Sequence, residues 1–299
     1  MSDCVLVAGA LAQRPRRAGH AWVFVNWLRG LRRCGCRALF VDRLSPELGD
    51  VDAGVRWVHE VMARAGFDGA WTVLLPDGGA AGMTRRDLLQ HAEDAWLLNI
   101  MGYLDDPELL AAVRRRVFLD LDPGFTQSWQ ASGSADLLRG HDAFATVGLN
   151  IGAPDCRVPN VGVEWIPTLP PVDLDLWQCE PSAAGPFTTV GSWRGPFDPI
   201  DVDGVRYGLR AHEARAHADL PARTGVALEA ALDIDPWDEG DRARLELGGW
   251  ELHDPREVSG DLCAYRDYVH GSSAEFAVAK QAYVGLRTGW FSDRSACYL

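Results

Sequence analysis

The sequence predicts an α/β protein with two units, each built on a doubly wound parallel sheet, the second of them incomplete. Two observations predict this fold class. Short apolar runs alternate with helix-like segments in both halves of the chain, at the spacing of βαβ units. A proline-rich stretch separates the two halves. We therefore predict an N-terminal unit at residues 1–166, a linker at 167–186 and a C-terminal unit at 187–299.

The first unit opens with an apolar run over residues 4–9, which predicts a buried strand, followed by a basic loop. A helix is predicted over 20–33, because apolar side chains form one stripe and arginines lie near its C-terminal end, where the helix dipole favours cations. The later elements of this unit are predicted as strands at 37–41, 71–75, 96–100, 117–121 and 144–147, and as helices near 53–65, 84–93 and 106–115.

The linker carries five prolines, and proline cannot continue a helix or a central strand. Beyond it the alternation restarts, with strands predicted at 187–190, 226–232 and 250–252, helices at 208–219, 238–245 and 261–270, and a helix start at 292–299. A doubly wound domain usually has five or six strands. We therefore expect either that a C-terminal piece is absent or that this unit is unusually small.

Composition excludes several classes of protein. The 299 residues are 47% apolar, which excludes intrinsic disorder, and the net charge of −13 argues against nucleic acid or an anionic membrane as the main partner. No run of 18 uncharged apolar residues predicts a membrane span, and the N-terminus is a poor signal peptide. The seven cysteines lack the spacing of a zinc site or a disulfide framework. We expect a cytoplasmic protein with reduced thiols.

Several well-known motifs are absent or imperfect. Neither first strand is followed by GxGxxG, and GxSxG and GxxxxGK[ST] are missing, so a nicotinamide dinucleotide enzyme has little support. His212 and His217 resemble a zinc-protease helix, but a separation of five residues places them roughly 140° apart on a helix. We interpret both as solvated histidines.

His20 is the first candidate for catalysis. It follows the basic loop after the first strand, and ligands of parallel α/β sheets collect at the carboxyl ends of strands. A helix N-terminus keeps imidazole neutral, as a general base requires. The alternative is a helix-start histidine that faces solvent.

The acidic pair Asp120 and Asp122 ends another predicted strand, where metal ligands often lie. Asp122 is followed by proline and glycine, so turn formation is the alternative interpretation. We retain Asp122 as a second catalytic candidate and predict no metal site.

The loop after the first strand of the second unit is the candidate for anion binding. Gly191 and the following residues form a polar, glycine-rich loop in which backbone amides approach an anion closely. Ser192 and Arg194 are expected to donate to phosphate, and Trp193 to offer a stacking face.

A second anion-binding segment is predicted near residue 292. Ser292 is a good N-cap, and the exposed amides of the following helix favour an anion. Arg294, Ser295 and the only lysine, Lys280, would add donors or charge. Asp293 would repel a diphosphate and is expected to face a sugar hydroxyl or to support the helix start; a purely structural cap is the alternative.

These segments also carry a family resemblance. The chain resembles bacterial glycosyltransferases of the GT-B type, which have two Rossmann-like domains. The resemblance rests on AGHAWVFVNWLRGLRRCGCRALFVD (18–42), FLDLDPGFTQ (118–127), TVGLNIG (146–152), VEWIPTLPPVDLDLW (163–177), TTVGSWRG (188–195) and AVAKQAYVGLRTGWFSDRSACYL (277–299). It implies an acceptor-binding first domain, a sugar-nucleotide-binding second domain and a cleft between them.

The resemblance also implies roles for individual residues. His20 matches the base of many such enzymes, and the 191–195 loop and the 292–295 helix start match the segments that hold the donor diphosphate. Retaining members carry two glutamates near the last helix; Gly289 and Cys297 stand about there, which favours inversion. Similar proteins continue beyond CYL, so the chain resembles a truncated relative.

The expected activity is therefore metal-independent, inverting transfer of a sugar from a nucleotide-sugar donor to a small-molecule or glycan acceptor, without a cofactor. One alternative is a catalytically inactive GT-B-like protein that binds a nucleotide-sugar or a partner. Another is an epimerase-like sugar-nucleotide enzyme. The acceptor pocket is expected to draw on side chains such as Trp22, Trp27, Trp71 and Trp129.

Overall fold

The structure is a computed structural model that describes residues 3–45, 47, 50–179 and 185–299. The first sheet, in these residues, has eight strands: β1 (Cys4–Gly9), β2 (Arg37–Arg43), β3 (Trp71–Leu74), β4 (Ala80–Gly82), β5 (Ala95–Ile100), β6 (Arg115–Asp120), β7 (Ala143–Thr146) and β8 (Trp165–Pro167). Their order across the sheet is β4-β3-β2-β1-β5-β6-β7-β8, and all neighbours are parallel except β3 and β4.

The helices that accompany this sheet are α1 (Ala18–Arg33), α2 (Val51–Arg64), α3 (Arg85–Ala92), α4 (Pro107–Ala112) and α5 (Phe125–Ser132). Capping explains where three of them begin. The side chains of Asp50, Thr84 and Asp106 each accept a hydrogen bond from a backbone amide in the first turn of α2, α3 and α4. These helices lie close to the predicted positions.

The second sheet begins twenty residues after the first ends. The strands of this half are β9 (Phe187–Ser192), β10 (Ile200–Val202), β11 (Val205–Tyr207), β12 (Leu228–Asp233), β13 (Glu251–Leu252) and β14 (Ala274–Glu275). Four of them form a wholly parallel sheet in the order β13-β12-β9-β14, while β10 and β11 form a separate antiparallel hairpin. The protein is thus α/β with two parallel-sheet units, as the sequence predicts.

The helices around the second sheet are short. With α6 (Leu174–Trp177) from the connecting segment, they are α7 (Arg210–Ala214), α8 (Leu220–Thr224), α9 (Glu239–Leu247), α10 (Pro255–Ser259), α11 (Leu262–His270), α12 (Gln281–Gly285) and α13 (Asp293–Tyr298). None of the helices in the described residues is long and apolar enough to cross a membrane.

The structure differs from the sequence prediction in several elements. Strands β4, β8 and β14, the β10–β11 hairpin and helices α5, α8, α10 and α12 were not predicted. The predicted helix over 208–219 is divided into α7 and a 3-10 turn at Arg215–His217. The predicted irregular linker contains α6, because the buried Asp173 caps that helix and forms ion pairs with Arg29 and Arg33 of α1; residues 180–184 lie outside the described residues.

Two sets of buried contacts join the units. In the first, Phe125 of α5 packs with the β10–β11 hairpin and with Tyr283 and Leu286 at α12. In the second, the Trp22 indole of α1 donates to the Leu262 carbonyl (3.2 Å) and packs against Trp177. The relative position of the two sheets therefore rests on buried side chains as well as on the connecting segment.

Candidate functional site

A cleft lies where the carboxyl ends of strands from both sheets meet. Its larger chamber, about 650 Å³, is lined by the loop after β1, the loop after β9 and the end of β12. A smaller chamber of about 320 Å³ adds residues that follow β5 and β6. The two chambers share lining residues, including His20, Arg194 and Asp293, so they are contiguous. This is the position at which parallel α/β sheets bind ligands.

His20 lines both chambers, in the first turn of α1. Its Nε2 atom is fully buried and has no hydrogen-bond partner among the described residues, whereas the ring donates to the Ala10 carbonyl through its other nitrogen. Burial, together with the positive charge of Arg14, lowers the pKa of His20 to about 3. The imidazole is therefore neutral, and its Nε2 lone pair is unpartnered but covered by surrounding atoms.

Asp42, at the end of β2, fixes the loop that holds His20. Its buried carboxylate accepts from the backbone amides of Ala12 (2.5 Å) and Arg43 (2.7 Å). Burial raises the pKa of Asp42 to about 8, although these donors oppose the shift. Asp42 is not among the site residues predicted from the sequence. The signal that could have indicated it is its position at a strand end beside the His20 loop.

On the opposite side of the cleft, two arginines converge on Gly191. Gly191 has φ +145°, and a Cβ atom there would lie 3.1 Å from both terminal nitrogens of Arg210 and 3.3 Å from Nη1 of Arg294. The Arg210 guanidinium donates to the Ser192 carbonyl, and Arg294 donates to the Val190 carbonyl (3.0 Å). Glycine at 191 thus provides space for two guanidinium groups at the end of β9.

Only one of these two guanidiniums has an ion-pair partner among the described residues. Arg294 pairs with the buried Glu275, whereas Arg210 forms no ion pair with any described residue. Burial and the neighbouring Arg294 lower the pKa of Arg210 to about 9. Arg14, from the first unit, lines both chambers and has no ion-pair partner in the described part of the chain either. Arg14 and Arg210 therefore offer unpaired positive charge to an anion at the smaller chamber, which the Asp293 side chain also lines.

Arg210 was missed by the sequence analysis. It follows Ser192 by 18 residues, beyond the β10–β11 hairpin, and no local motif marks it. Only the fold brings it to the glycine loop.

The predicted residues Asp122 and Lys280 meet each other across the two units. Lys280 Nζ donates to Asp122 (2.7 Å), and the Tyr283 hydroxyl donates to the same carboxylate oxygen. The ammonium also lies 4.6 Å and 4.8 Å from the ring centres of Phe125 and Phe197. Both side chains line the smaller chamber. The expectation that Lys280 adds free charge at the 292–295 segment is therefore corrected, because its charge is already paired.

Asp120 serves the fold at the end of β6. Its buried carboxylate accepts from the side chains of Thr126 (2.7 Å), Gln127 (2.9 Å) and Thr146 (2.8 Å). These donors occupy the lone pairs that a metal ion would need. The turn that follows is closed by the Asp122 carbonyl, which accepts from the Phe125 amide. The turn interpretation of this acidic pair fits these contacts.

Two predicted donor-binding residues, Trp193 and Ser295, do not line the cleft, and a third, Arg194, lines it with its charge already paired. Trp193 is buried in the core of the second unit and donates to Asp241 (2.9 Å), so it offers no stacking face. Arg194 lines the cleft, but its guanidinium is held by Asp238. Ser295 is not among the residues that line either chamber.

The remaining predicted residues lie at the cleft. Gly191 and Ser192 line the larger chamber, and Ser292, Asp293 and Arg294 line both chambers. Ser292 caps α13 by accepting from the Arg294 amide (3.2 Å), as the sequence predicts. Burial, and to a lesser extent the charge of Asp122, raises the pKa of Asp293 to about 6.

The four tryptophans expected to form the acceptor pocket do not line either chamber. Trp22 and Trp71 are buried in the core of the first unit. The smaller chamber is instead lined by other aromatic side chains, Tyr103, Phe197, Tyr283 and Trp290.

Among the solved structures that are similar to this chain are two whose similarity covers most of its length. The crystal structure of Acinetobacter baumannii MurG has a TM-score of 0.37 and 11% identity, covering 92% of this chain and 72% of that one. LpCGTa in complex with UDP has a TM-score of 0.37 and 12% identity, covering 100% and 93%. No family model and no curated protein matches the chain. Similarity at this level assigns no function to the chain.

Proposed function

We propose that this protein is a glycosyltransferase that moves a sugar from a nucleotide diphosphate donor to an acceptor hydroxyl, with inversion and without a metal ion. One observation carries the proposal. A neutral histidine with an unpartnered Nε2 from one unit and a guanidinium pair with a single carboxylate partner from the other line the same cavity. A base and an anion site on opposite sides of one cleft are what direct displacement of a nucleotide diphosphate requires.

The arginines support a role in binding the donor diphosphate. Arg210 and Arg294 lie at the end of β9, and Arg14 approaches from the first unit. Guanidinium groups bind phosphate through two parallel hydrogen bonds, and they would stabilise the negative charge that develops on the leaving nucleotide. They supply the charge that a divalent cation supplies in other transferases. Asp293, which would repel the diphosphate, is placed in our proposal against the hydroxyls of the sugar.

His20 is proposed as the general base. With its proton on the nitrogen that donates to Ala10, the ring keeps an unpartnered Nε2 lone pair, and a small movement of the side chain would bring this buried atom to an acceptor hydroxyl. A pKa of about 3 makes a weak base in the free protein. The diphosphate would oppose the effect of Arg14 and raise this pKa, because a nearby negative charge favours imidazolium. Burial, the larger cause of the low pKa, would remain, so donor binding would strengthen the base only in part.

The smaller chamber is proposed to hold the acceptor. Phe197, Tyr283 and Trp290 offer aromatic faces there, and His20 lies at its junction with the larger chamber. Ring faces suit either a sugar ring or a flat aglycone.

The proposal is tested by pairing donor binding with turnover. A panel of UDP-, TDP- and GDP-sugars is screened by thermal shift, because a ligand that binds only the folded protein raises Tm. Product formation from the binding donor is then measured with a range of acceptors. His20→Ala is expected to lower turnover by about 10²–10⁴-fold with donor affinity nearly unchanged. His59→Ala, an exposed histidine of the same unit, is the control.

Arg210→Ala is expected to show the reverse: weaker donor binding, with turnover of the bound donor nearly unchanged. Loss of charge-assisted hydrogen bonds to phosphate weakens donor binding by about 10–100-fold. Arg244→Ala, an exposed arginine of the second unit, is the control and leaves donor affinity unchanged. Turnover by His20→Ala at the level of the unaltered protein would reject His20 as base. Failure of every donor to bind would reject the transferase.

A binding protein without catalysis is the second candidate, and one observation favours it. The His20 ring donates to a backbone carbonyl and not to a carboxylate. A carboxylate in that place would make the imidazole a stronger base. This candidate predicts that a donor binds with the Arg210 dependence described above, while no acceptor is glycosylated and His20→Ala changes nothing.

A further inference from the structure

We propose that the second unit has a binding site for a divalent transition-metal ion, formed by Glu229, Glu251 and His253. Glu229 and Glu251 are paired residues on the neighbouring parallel strands β12 and β13. His253 follows Glu251 by two residues and so projects from the same face of the sheet as Glu251. One ligand atom of each of the three side chains lies within 4.8 Å of the other two.

The charges of this cluster are not balanced by protein groups. The carboxylate of Glu229 contacts His253 Nε2 (2.8 Å), and neither Glu229 nor Glu251 has a lysine or arginine partner in the ranges that the structure describes. Two carboxylates at adjacent positions repel each other, and a divalent cation between them removes that repulsion.

A buried tyrosine hydroxyl beside the cluster is an independent indication of a missing ligand. Tyr268 of α11 has its ring centre 6.0 Å from that of His253, and its hydroxyl is fully buried without a hydrogen-bond partner among the described residues. A water molecule on a bound metal ion would provide the missing partner.

The donor set selects the class of metal. Imidazole nitrogen with carboxylate oxygen suits Zn²⁺ and similar ions, whereas Mg²⁺ and Ca²⁺ prefer oxygen donors alone. Ligand atoms around tetrahedral Zn²⁺ lie about 3.4 Å apart, so the three side chains need only small rotations to bind it. Glu251 is exposed and free to make that movement. Three protein ligands leave a coordination position for water.

The position of the site indicates a structural role. Glu229 lies near the start of β12, four residues or roughly 13 Å before Asp233, which lines the cleft. A metal ion there would join the two-residue edge strand β13 to β12 and to α11, far from the proposed transfer chemistry. The proposal is therefore independent of the function of the cleft.

The experiment is metal binding by the full chain, stripped with chelator and free of a histidine tag. Co²⁺ is titrated by visible absorption and Zn²⁺ by calorimetry, against Glu251→Gln, His253→Asn, Tyr268→Phe and the control Glu93→Gln in the first unit. We expect one equivalent of either ion, a raised Tm, and at least about ten-fold weaker binding in Glu251→Gln and His253→Asn. Tyr268→Phe should weaken binding by about ten-fold, as is typical of outer partners, and Glu93→Gln should have no effect.

The proposal is wrong if the chain binds no Zn²⁺ at micromolar concentration, or if His253→Asn and Glu251→Gln bind it as tightly as the unaltered protein does. The latter result would place the ion at another surface group. Glu251 is exposed, so Glu251→Gln is expected to fold normally, and its result decides the question even if His253→Asn does not fold.

Discussion

The first strand of each unit ends in a loop at the cleft, and the two loops are held in different ways. The loop after β1 is held by hydrogen bonds from its amides to a buried carboxylate, and it presents a neutral imidazole. The end of β9 is held by guanidinium groups that donate to its carbonyls, and it presents positive charge. Equivalent positions in two similar sheets thus provide a base on one side and an anion site on the other.

The largest expected effect comes from removing the carboxylate of the first loop. Asp42→Ala leaves the Ala12 and Arg43 amides buried without acceptors, which should lower the free energy of unfolding by about 4 kcal/mol. Urea denaturation measures the change. Asp42→Asn retains one acceptor oxygen and should lose less than half as much; equal losses in the two variants would show that the carboxylate does not fix the loop.

The next effect tests whether the first loop holds a neutral imidazole. Because the pKa of His20 is about 3 in the folded protein and near 6.5 when unfolded, the unfolded chain binds more protons between these values, and stability falls as pH falls below 6.5. Between pH 7 and pH 5 the unaltered protein should lose about 2 kcal/mol more than His20→Asn. His59→Asn should follow the unaltered protein; a His20→Asn curve parallel to it would mean that His20 titrates normally.

The second loop is tested by adding one methyl group. Gly191→Ala strains a backbone at φ +145° and places a Cβ atom 3.1 Å from the Arg210 guanidinium. We expect donor binding, measured by calorimetry, to weaken about ten-fold, or ~1.4 kcal/mol. Gly240→Ala, where a Cβ would meet no atom within 4 Å, is the matched control. Unchanged affinity for the donor in Gly191→Ala would show that the guanidinium pair does not bind the donor.

The smallest effect concerns the ion pair between the two sides of the cleft. Arg17 contacts Asp233 at 2.5 Å, but both side chains are about half exposed. Exposed pairs contribute little, so Arg17→Gln should change the free energy of unfolding by no more than about 0.5 kcal/mol. A loss above about 2 kcal/mol in urea denaturation would show that this contact, rather than the apolar ones, holds the units together.

Local sequence signals account for what could be predicted. A buried strand followed by a helix start placed His20 at the cleft, and a serine before a short helical segment placed the cap at Ser292. The β10–β11 hairpin was missed although its signal is present. The turn Asp203-Gly204 lies between alternating apolar residues, which is a hairpin pattern.

Other features depend on contacts between distant residues. The loop pattern around Trp193 suggested exposure, but Asp241, 48 residues away, accepts its indole N–H within the core. Arg210 reaches Ser192 only because the hairpin folds back. The pairing of Lys280 with Asp122 joins two units that no sequence pattern relates. Such contacts are set by packing, and a single sequence does not encode them locally.

The contact between α5 and the β10–β11 hairpin has a consequence for engineering hybrids. Phe125 is completely covered, partly by Ile200 and Val202 of the other half. A hybrid joined at the connecting segment, with its second half from a different protein, would pair this aromatic ring with a foreign surface and lose that cover. A hybrid must therefore take α5 and the hairpin from the same protein, or the contacting faces of both elements must be redesigned together.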